Sequence, residues 1–467
     1  MMTMKSTLVL TAAVLCTQTF VFGQSEQQQQ HLLDSVLTAA HQKNSFNGNV
    51  LVADKGKVLF RKSYGIAEES TGRKLNPESV FELASVSKQF TAMGIVQLHK
   101  QGKLQYDDPV AKYIPELAFY KGITVRNLLN HTGGLPDYMD LFEDKWDKTK
   151  FATNEDVIKI FAQYKPDTLF SPGAKYEYSN TGYALLGAII ERVSKKTFGA
   201  YLKETIFKPL KMDHTFVYRS RYQPQKVDNY ALGYVQDSLG NKVLTNAFGK
   251  DFYTYYLDGI VGDGMVNSTL DDLLKWDRAL YTDKLINAED RKEIFTAATT
   301  ADGKETGYGF GWQVSKSKLY GAIASHSGGW AGYVTYIERH MDNDKTIIIL
   351  QNNSTQFTQI PAKDIRKVLY NEPFPIAEVM KKATPTAAEL KQYEGVYSNP
   401  EAPVKLTIAV SGGALTAQAT GQGAFPMDAY ENHTFRFDNA QIKMIFDPAA
   451  HTMRYIQGRV DVVFTKE

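Results

Sequence analysis

The sequence predicts an α+β fold: an antiparallel sheet flanked by helices and split by an inserted helical block, followed by a small all-β barrel at the C-terminal end. Three observations carry this. Strand-like runs separated by turn residues occur early, at 48–67, and again late, at 311–351. Between them the apolar residues recur at helical spacing. Beyond residue 386 short strand patterns follow one another closely, as in a barrel or sandwich.

Composition excludes several classes. The chain has 467 residues, of which 43% are hydrophobic, enough for two or three cores. Its 53 Lys+Arg nearly balance 51 Asp+Glu, so there is no basic excess for a nucleic-acid surface built on counterion release. The single cysteine, Cys16, forms no internal disulfide and no Cys-rich metal site.

Taken in order, residues 1–23 hold one charge, Lys5, then a largely apolar run, and end at Gly23 before a Gln-rich stretch. This reads as a signal peptide cleaved near Gly23 and predicts an exported protein, periplasmic or extracellular. Thr17, Gln18 and Thr19 interrupt the run, and no second membrane-length run follows, so no transmembrane segment is expected in the mature chain. The tract Gln27 to Gln30 reads as a flexible spacer, and 32–42 as a short amphipathic helix. Residues 48–67 form a hairpin around Asp54-Lys55-Gly56. Val86, Phe90, Met93 and Val96 give a helix over 85–100 that Gly102 ends; further helices are expected at 125–130, 181–195 and 270–281. Strands are expected at 311–316, 320–325, 332–339 and 346–351, a meander that completes the sheet begun by the hairpin. Residues 24–370 are thus one domain. A Pro-containing linker spans 371–385, and 386–467 form the barrel, with strands at 393–397, 404–410, 414–419, 434–437, 442–446, 453–457 and 460–464.

The chemistry lies in three short motifs. Ser85-Val-Ser-Lys88 opens a helix, so a hydroxyl and an amine three residues apart share one face. A serine becomes nucleophilic when a neighbour takes its proton. The same spacing at Ser315 and Lys318 falls on a polar strand and turn and reads as a solvated hairpin. Tyr178-Ser179-Asn180 precedes a helix, where the phenol can share proton transfer and the amide can grip a carbonyl. His326-Ser327-Gly328-Gly329 lies on a strand whose glycines permit close backbone approach; such an edge offers an N–H to an oxyanion while His326 faces the substrate. His131-Thr-Gly133-Gly134 reads as structural. No metal or cofactor motif is present, so neither is expected.

The ordered set Ser85-Val-Ser-Lys88, Tyr178-Ser-Asn180 and His326-Ser-Gly328 resembles the three-motif signature of serine β-lactamases and penicillin-recognising peptidases, with Tyr-x-Asn as in the class C branch. Leu128-Leu-Asn-His131-Thr-Gly-Gly-Leu135-Pro, Ser171-Pro-Gly173, Gly262-Asp-Gly-Met265 and Tyr308-Gly-Phe-Gly-Trp312 extend the similarity over about residues 30–370. The resemblance implies Ser85 as the acylated nucleophile, Lys88 and Tyr178 as the proton-transfer pair, and Asn180, His326, Ser327 and Gly328 as substrate contacts. It also implies the backbone N–H groups of Ser85 and Gly329 as oxyanion donors. His326 stands where the β-lactamase signature has lysine, and a mostly neutral imidazole supplies no permanent cation for a substrate carboxylate. In this the chain is similar to the D-aminopeptidase and esterase branches, which often carry an added lipocalin-like barrel. The expected partner is a small-molecule or peptide-like substrate opened at an amide or ester through an acyl-enzyme. The alternatives are a class C-like β-lactamase and, from another class, a penicillin- or peptide-binding receptor without turnover.

Overall fold

Alternating apolar residues in six segments build the central sheet. These are β1 (Gly48–Asp54), β2 (Lys57–Tyr64), β3 (Gln313–Ser317), β4 (Gly321–Trp330), β5 (Tyr333–His340) and β6 (Lys345–Gln351), in the spatial order β3-β4-β5-β6-β1-β2. Every neighbouring pair is antiparallel, and β1 and β6 pair from Gly48↔Gln351 to Asp54↔Lys345. The computed structural model describes residues 24–373, 381–400, 402, 404–437, 440, 442–457 and 460–467. The predicted signal peptide, with Cys16, lies outside them, as does 374–380 of the predicted linker.

Both faces of the sheet are covered, and the period of two along each strand divides its residues between two cores. Val50, Val52, Ile347 and Ile349 point to one face, where helices α1 (Glu26–Gln42) and α4 (Ala362–Leu369) supply Leu33, Leu37, Ile365 and Val368. Leu51, Ala53, Ile348 and Leu350 point to the other and join the helical block. Within that block α2 (Lys88–Lys100) lies against α3 (Asn180–Ser194). They approach so closely that a Cβ on Gly94 would sit 2.8 Å from Ile190 Cδ1.

The hairpin turn is as expected: Lys55 and Gly56 both take positive φ, as a two-residue connection between twisted strands requires. The glutamine tract is a correction. Gln27 to Gln30 belong to the first turns of α1, because Ser25 and Gln28 form a capping box and the Gln29 and Gln30 amides donate to the carbonyls of Val368 and Leu59. Strand β4 runs five residues past its expected end, so the His326 motif lies within a strand that continues to Trp330.

At the C-terminal end, eight strands from Gly395–Ser398 to Val460–Lys466 close into an antiparallel barrel, sealed by Tyr397↔Lys466 and Ser398↔Thr465. Its core includes Tyr397, Leu415, Phe435, Met444 and Phe464. Seven of these strands were expected from the sequence; the eighth, Phe425–Tyr430, was not, and in it Pro426 stands opposite Thr416. No helix among the described residues is long and apolar enough to cross a membrane.

Candidate active site

Ser85 stands on a 3-10 turn, Ala84–Ser87, that runs directly into α2. Ala84 has φ +48°, a left-handed conformation that a non-glycine residue adopts only under constraint. The constraint comes from both sides. Phe81–Glu82 pairs with Val266–Ser268, and Ser87 Oγ accepts a hydrogen bond from Val266 N–H at 3.1 Å. Across the turn lies β4, where a Cβ on Gly328 would meet Leu83 O and Thr335 Oγ1 at 2.3 Å and Ser85 N at 3.1 Å. Thr335 Oγ1 donates to that same Leu83 carbonyl at 2.6 Å. Glycine at 328 is therefore a steric requirement of the turn that carries Ser85.

Lys88 is fully buried, and its ammonium has three oxygen partners for its three donors: Ser85 Oγ at 3.2 Å, Asn180 Oδ1 at 3.0 Å and the Asp263 carbonyl at 2.9 Å. Asn180 in turn donates from Nδ2 to Asp137 Oδ2 at 3.0 Å. Asp137 also caps the helix Tyr138–Lys145 through the Met139 N–H. Tyr178 is 37% exposed, and its ring centre is 4.9 Å from Lys88 Nζ. Ser85, Tyr178 and Asn180 meet on one cavity of about 530 Å³, whose lining also includes Gly329, Tyr253 and Trp330, with Lys88 buried behind Ser85.

The third motif divides by strand alternation. Ser327 and Gly329 are exposed, whereas His326 and Gly328 are buried. Because β3 pairs only Gly321 to Ser325, the edge from His326 onward is left free of β3 and runs beside the Ser85 turn. The expectation that His326 faces the substrate is corrected. Its side chain is 2% exposed and absent from the cavity lining. Its Nδ1–H donates to the Ser327 carbonyl at 2.7 Å, and Tyr308 O–H donates to Nε2 at 2.8 Å. Burial, reinforced by the Lys88 charge, pushes its pKa down to about 3.

His131 sits behind Tyr178, ring centres 4.4 Å apart, and its Nδ1 accepts the Ser179 N–H at 3.1 Å. Its φ is +60° and its pKa is held well below the usual value, again chiefly by burial. Two buried neutral histidines have a consequence for stability. An unfolded histidine takes up its proton near pH 6.5, so each contributes stability that is complete above that pH and is lost as pH falls. We expect the unfolding free energy, and with it the melting temperature, to fall on acidification below pH 6.5, by up to about 1.4 kcal/mol per pH unit for each histidine. His326→Gln should make that slope shallower. An unchanged slope, followed by calorimetry from pH 7 to pH 4, would contradict the buried neutral state.

Sequence reasoning did not single out Asp137, Asp263, Tyr308 or Glu82 as individual residues of the site. Asp137 carried a signal, as a capping residue just ahead of a helix. Asp263 contributes a backbone carbonyl, to which residue identity gives no clue.

The Beta-lactamase family profile matches residues 33–370. The chain belongs to the beta-lactamase family. It is a hydrolase of the beta-lactamase and penicillin-binding-protein type. Penicillin-binding protein 4* of Bacillus subtilis (strain 168) is 40% identical to this family member over 379 residues, covering 80% of this chain and 84% of the relative. Two solved structures share the fold. One is the octameric penicillin-binding protein homologue from Pyrococcus abyssi, with TM-score 0.63 and 22% identity over 93% of this chain and 99% of that one. The other is D-amino acid amidase from Ochrobactrum anthropi SV3 complexed with L-phenylalanine amide, with TM-score 0.61 and 22% identity over 73% and 99%.

Proposed function

We propose that the protein is an exported serine hydrolase that opens an amide or ester bond, of peptidase, amidase or esterase type, through an acyl-enzyme on Ser85. The observation that carries this reading is the contact of Lys88 Nζ with Ser85 Oγ at 3.2 Å, inside a fully buried and fully paired ammonium site. A cation donating to the hydroxyl oxygen favours the anionic form that attacks a carbonyl. Lys88 and Tyr178, whose ring faces that cation, form the proton-transfer pair: the Lys88 ammonium holds the Ser85 oxygen, while the Tyr178 oxygen takes the Ser85 proton on attack and passes it to the departing group when the tetrahedral adduct collapses. Asn180 retains a second amide hydrogen beside its bond to Asp137 and contacts the substrate carbonyl region. The N–H groups of Ser85 and Gly329 serve the oxyanion, each worth about 10²–10³ in rate. Of the other third-motif residues expected to contact substrate, Ser327 is exposed but outside the cavity lining, and buried Gly328 and His326 support the turn and strand from behind. Water then releases the acyl group.

Residues 24–370 are read as the hydrolase domain and 386–467 as an accessory barrel joined by 371–385. The name of the D-amino acid amidase fold relative supports amide substrates. A second reading, β-lactam hydrolysis or penicillin binding without fast release, is favoured by the name of the 40% identical relative. The test is intact-mass and peptide mapping after incubation with a fluorophosphonate and with penicillin. A single adduct on Ser85 is expected with the fluorophosphonate; an adduct elsewhere, or none, would overturn the reading. The lifetime of a penicillin adduct separates turnover from a binding receptor.

A further inference from the structure

One motif of the sequence, His131-Thr-Gly133-Gly134, has no task in the hydrolytic steps. Its backbone runs along the segment 165–179, which holds no helix or strand and ends in Tyr178 and Ser179. The carbonyls of His131, Thr132 and Gly134 accept the N–H groups of Glu177 at 3.0 Å, Gly173 at 2.8 Å and Leu169 at 2.8 Å. The approach is tight: a Cβ on Gly134 would meet the Phe170 carbonyl oxygen at 2.3 Å.

At the end of this segment a single residue braces Tyr178 from both sides. The Glu177 N–H before it binds the His131 carbonyl, the Ser179 N–H after it binds His131 Nδ1 at 3.1 Å, and the Tyr178 and His131 ring centres are 4.4 Å apart. Among the described residues no hydrogen bond reaches the Tyr178 hydroxyl. Where the phenol stands relative to Lys88 Nζ, 4.9 Å from its ring centre, is therefore decided from behind.

Histidine is not the residue that packing alone would place here. The His131 ring is 1% exposed, touches Tyr183 and Tyr308 as well as Tyr178, and buries Nε2 without a hydrogen-bond partner among the described residues. Because Nδ1 accepts, the ring proton sits on Nε2, and an unpaired donor is buried at a cost in stability. A phenylalanine would fill the same aromatic surroundings without that cost. What histidine adds is the acceptor at Nδ1. Burial, with the Lys88 and His326 charges, holds its pKa well below the usual value, so the acceptor persists through the neutral range.

We infer that His131 is a positioning residue of the reaction, whose Nδ1 and ring face hold the Tyr178 segment so that the phenol stands against Lys88. The inference rests on the reading of Tyr178 as the partner of Lys88 in proton transfer. No proton passes to His131, whose Nδ1 is occupied by the Ser179 N–H.

The test uses the full-length protein and an aryl ester. His131→Phe keeps a flat ring and removes the acceptor; kcat should fall by about 10²-fold, the effect of misplacing a reacting group by about 1 Å, with KM within about threefold of the parent. His131→Asn restores an acceptor at the same place and tolerates the φ of +60°, so it should recover at least about tenfold of that loss. In a Tyr178→Phe background, which lacks the phenol, adding His131→Phe should cost less than about threefold, because nothing is left to position. Additive losses in the double variant, or equal activities of the asparagine and phenylalanine variants, overturn the inference. His131→Leu, which also lacks the acceptor, replaces the phenylalanine variant if that one fails to fold. Crystal structures separate this inference from the reading beneath it. Tyr178 displaced from Lys88 in His131→Phe, in a protein whose Ser85 takes no fluorophosphonate, would leave the positioning role standing and defeat the hydrolase reading. Parental labelling of Ser85 in His131→Phe, with Tyr178 unmoved, would do the reverse.

Discussion

Replacing Ser85 by alanine is expected to lower kcat/KM on an aryl ester or amino-acid amide by about 10³-fold or more, with a melting temperature within a few degrees of the parent. The geometry explains why the two readouts should part. Among the described residues the Ser85 hydroxyl has one hydrogen-bond partner, Lys88, and the turn beneath it is held by other atoms: Ser87 Oγ to Val266, Thr335 to Leu83, and the close approach of Gly328. Alanine keeps that backbone and removes only the hydroxyl that the proposed mechanism uses. A hydrolysis assay beside a thermal melt decides it, and a variant retaining more than a tenth of parental turnover would move the nucleophile elsewhere.

Lys88→Met is expected to cost about 10²–10⁴-fold in kcat, the range for losing a positioned proton-transfer group. Methionine fills similar space but cannot donate, so Ser85 Oγ, Asn180 Oδ1 and the Asp263 carbonyl lose a shared partner at once. Fluorophosphonate labelling of Ser85 should slow in parallel, because that step also requires an activated oxygen. Removing a buried charge relieves its desolvation while leaving acceptors unpaired, so stability should change much less than rate. If labelling and turnover both stayed within threefold of the parent, Lys88 would be a structural cation and Tyr178 would have to work without it.

The sheet and the helical block were legible in the sequence because burial there follows simple periods. Val50 and Val52 alternate with Leu51 and Ala53, and the helices carry their apolar stripes openly. The Ser85, Lys88, Tyr178 and Asn180 cluster was legible because its members sit at fixed offsets from helix starts. What stayed hidden depends on direction or on other segments. Whether His326 points into the cavity is set by the parity of β4 against β5, which a longer strand than expected decided. Gln27 to Gln30 looked like spacer because composition does not reveal a cap closing onto residues far along the chain.

The pairing of β1 with β6 joins residue 48 to residue 351, and the turn bearing Ser85 leans on Gly328 from the far end of the domain. A growing polypeptide released from the ribosome up to residue 320 would therefore hold Ser85, Lys88 and the Val266–Ser268 side of their support but lack β4, which braces the turn from the other side. Assembly of the reactive centre has to wait for late synthesis, because the closing contacts are long-range ones. Until β4 is made, the turn carrying Ser85 is braced from one side only.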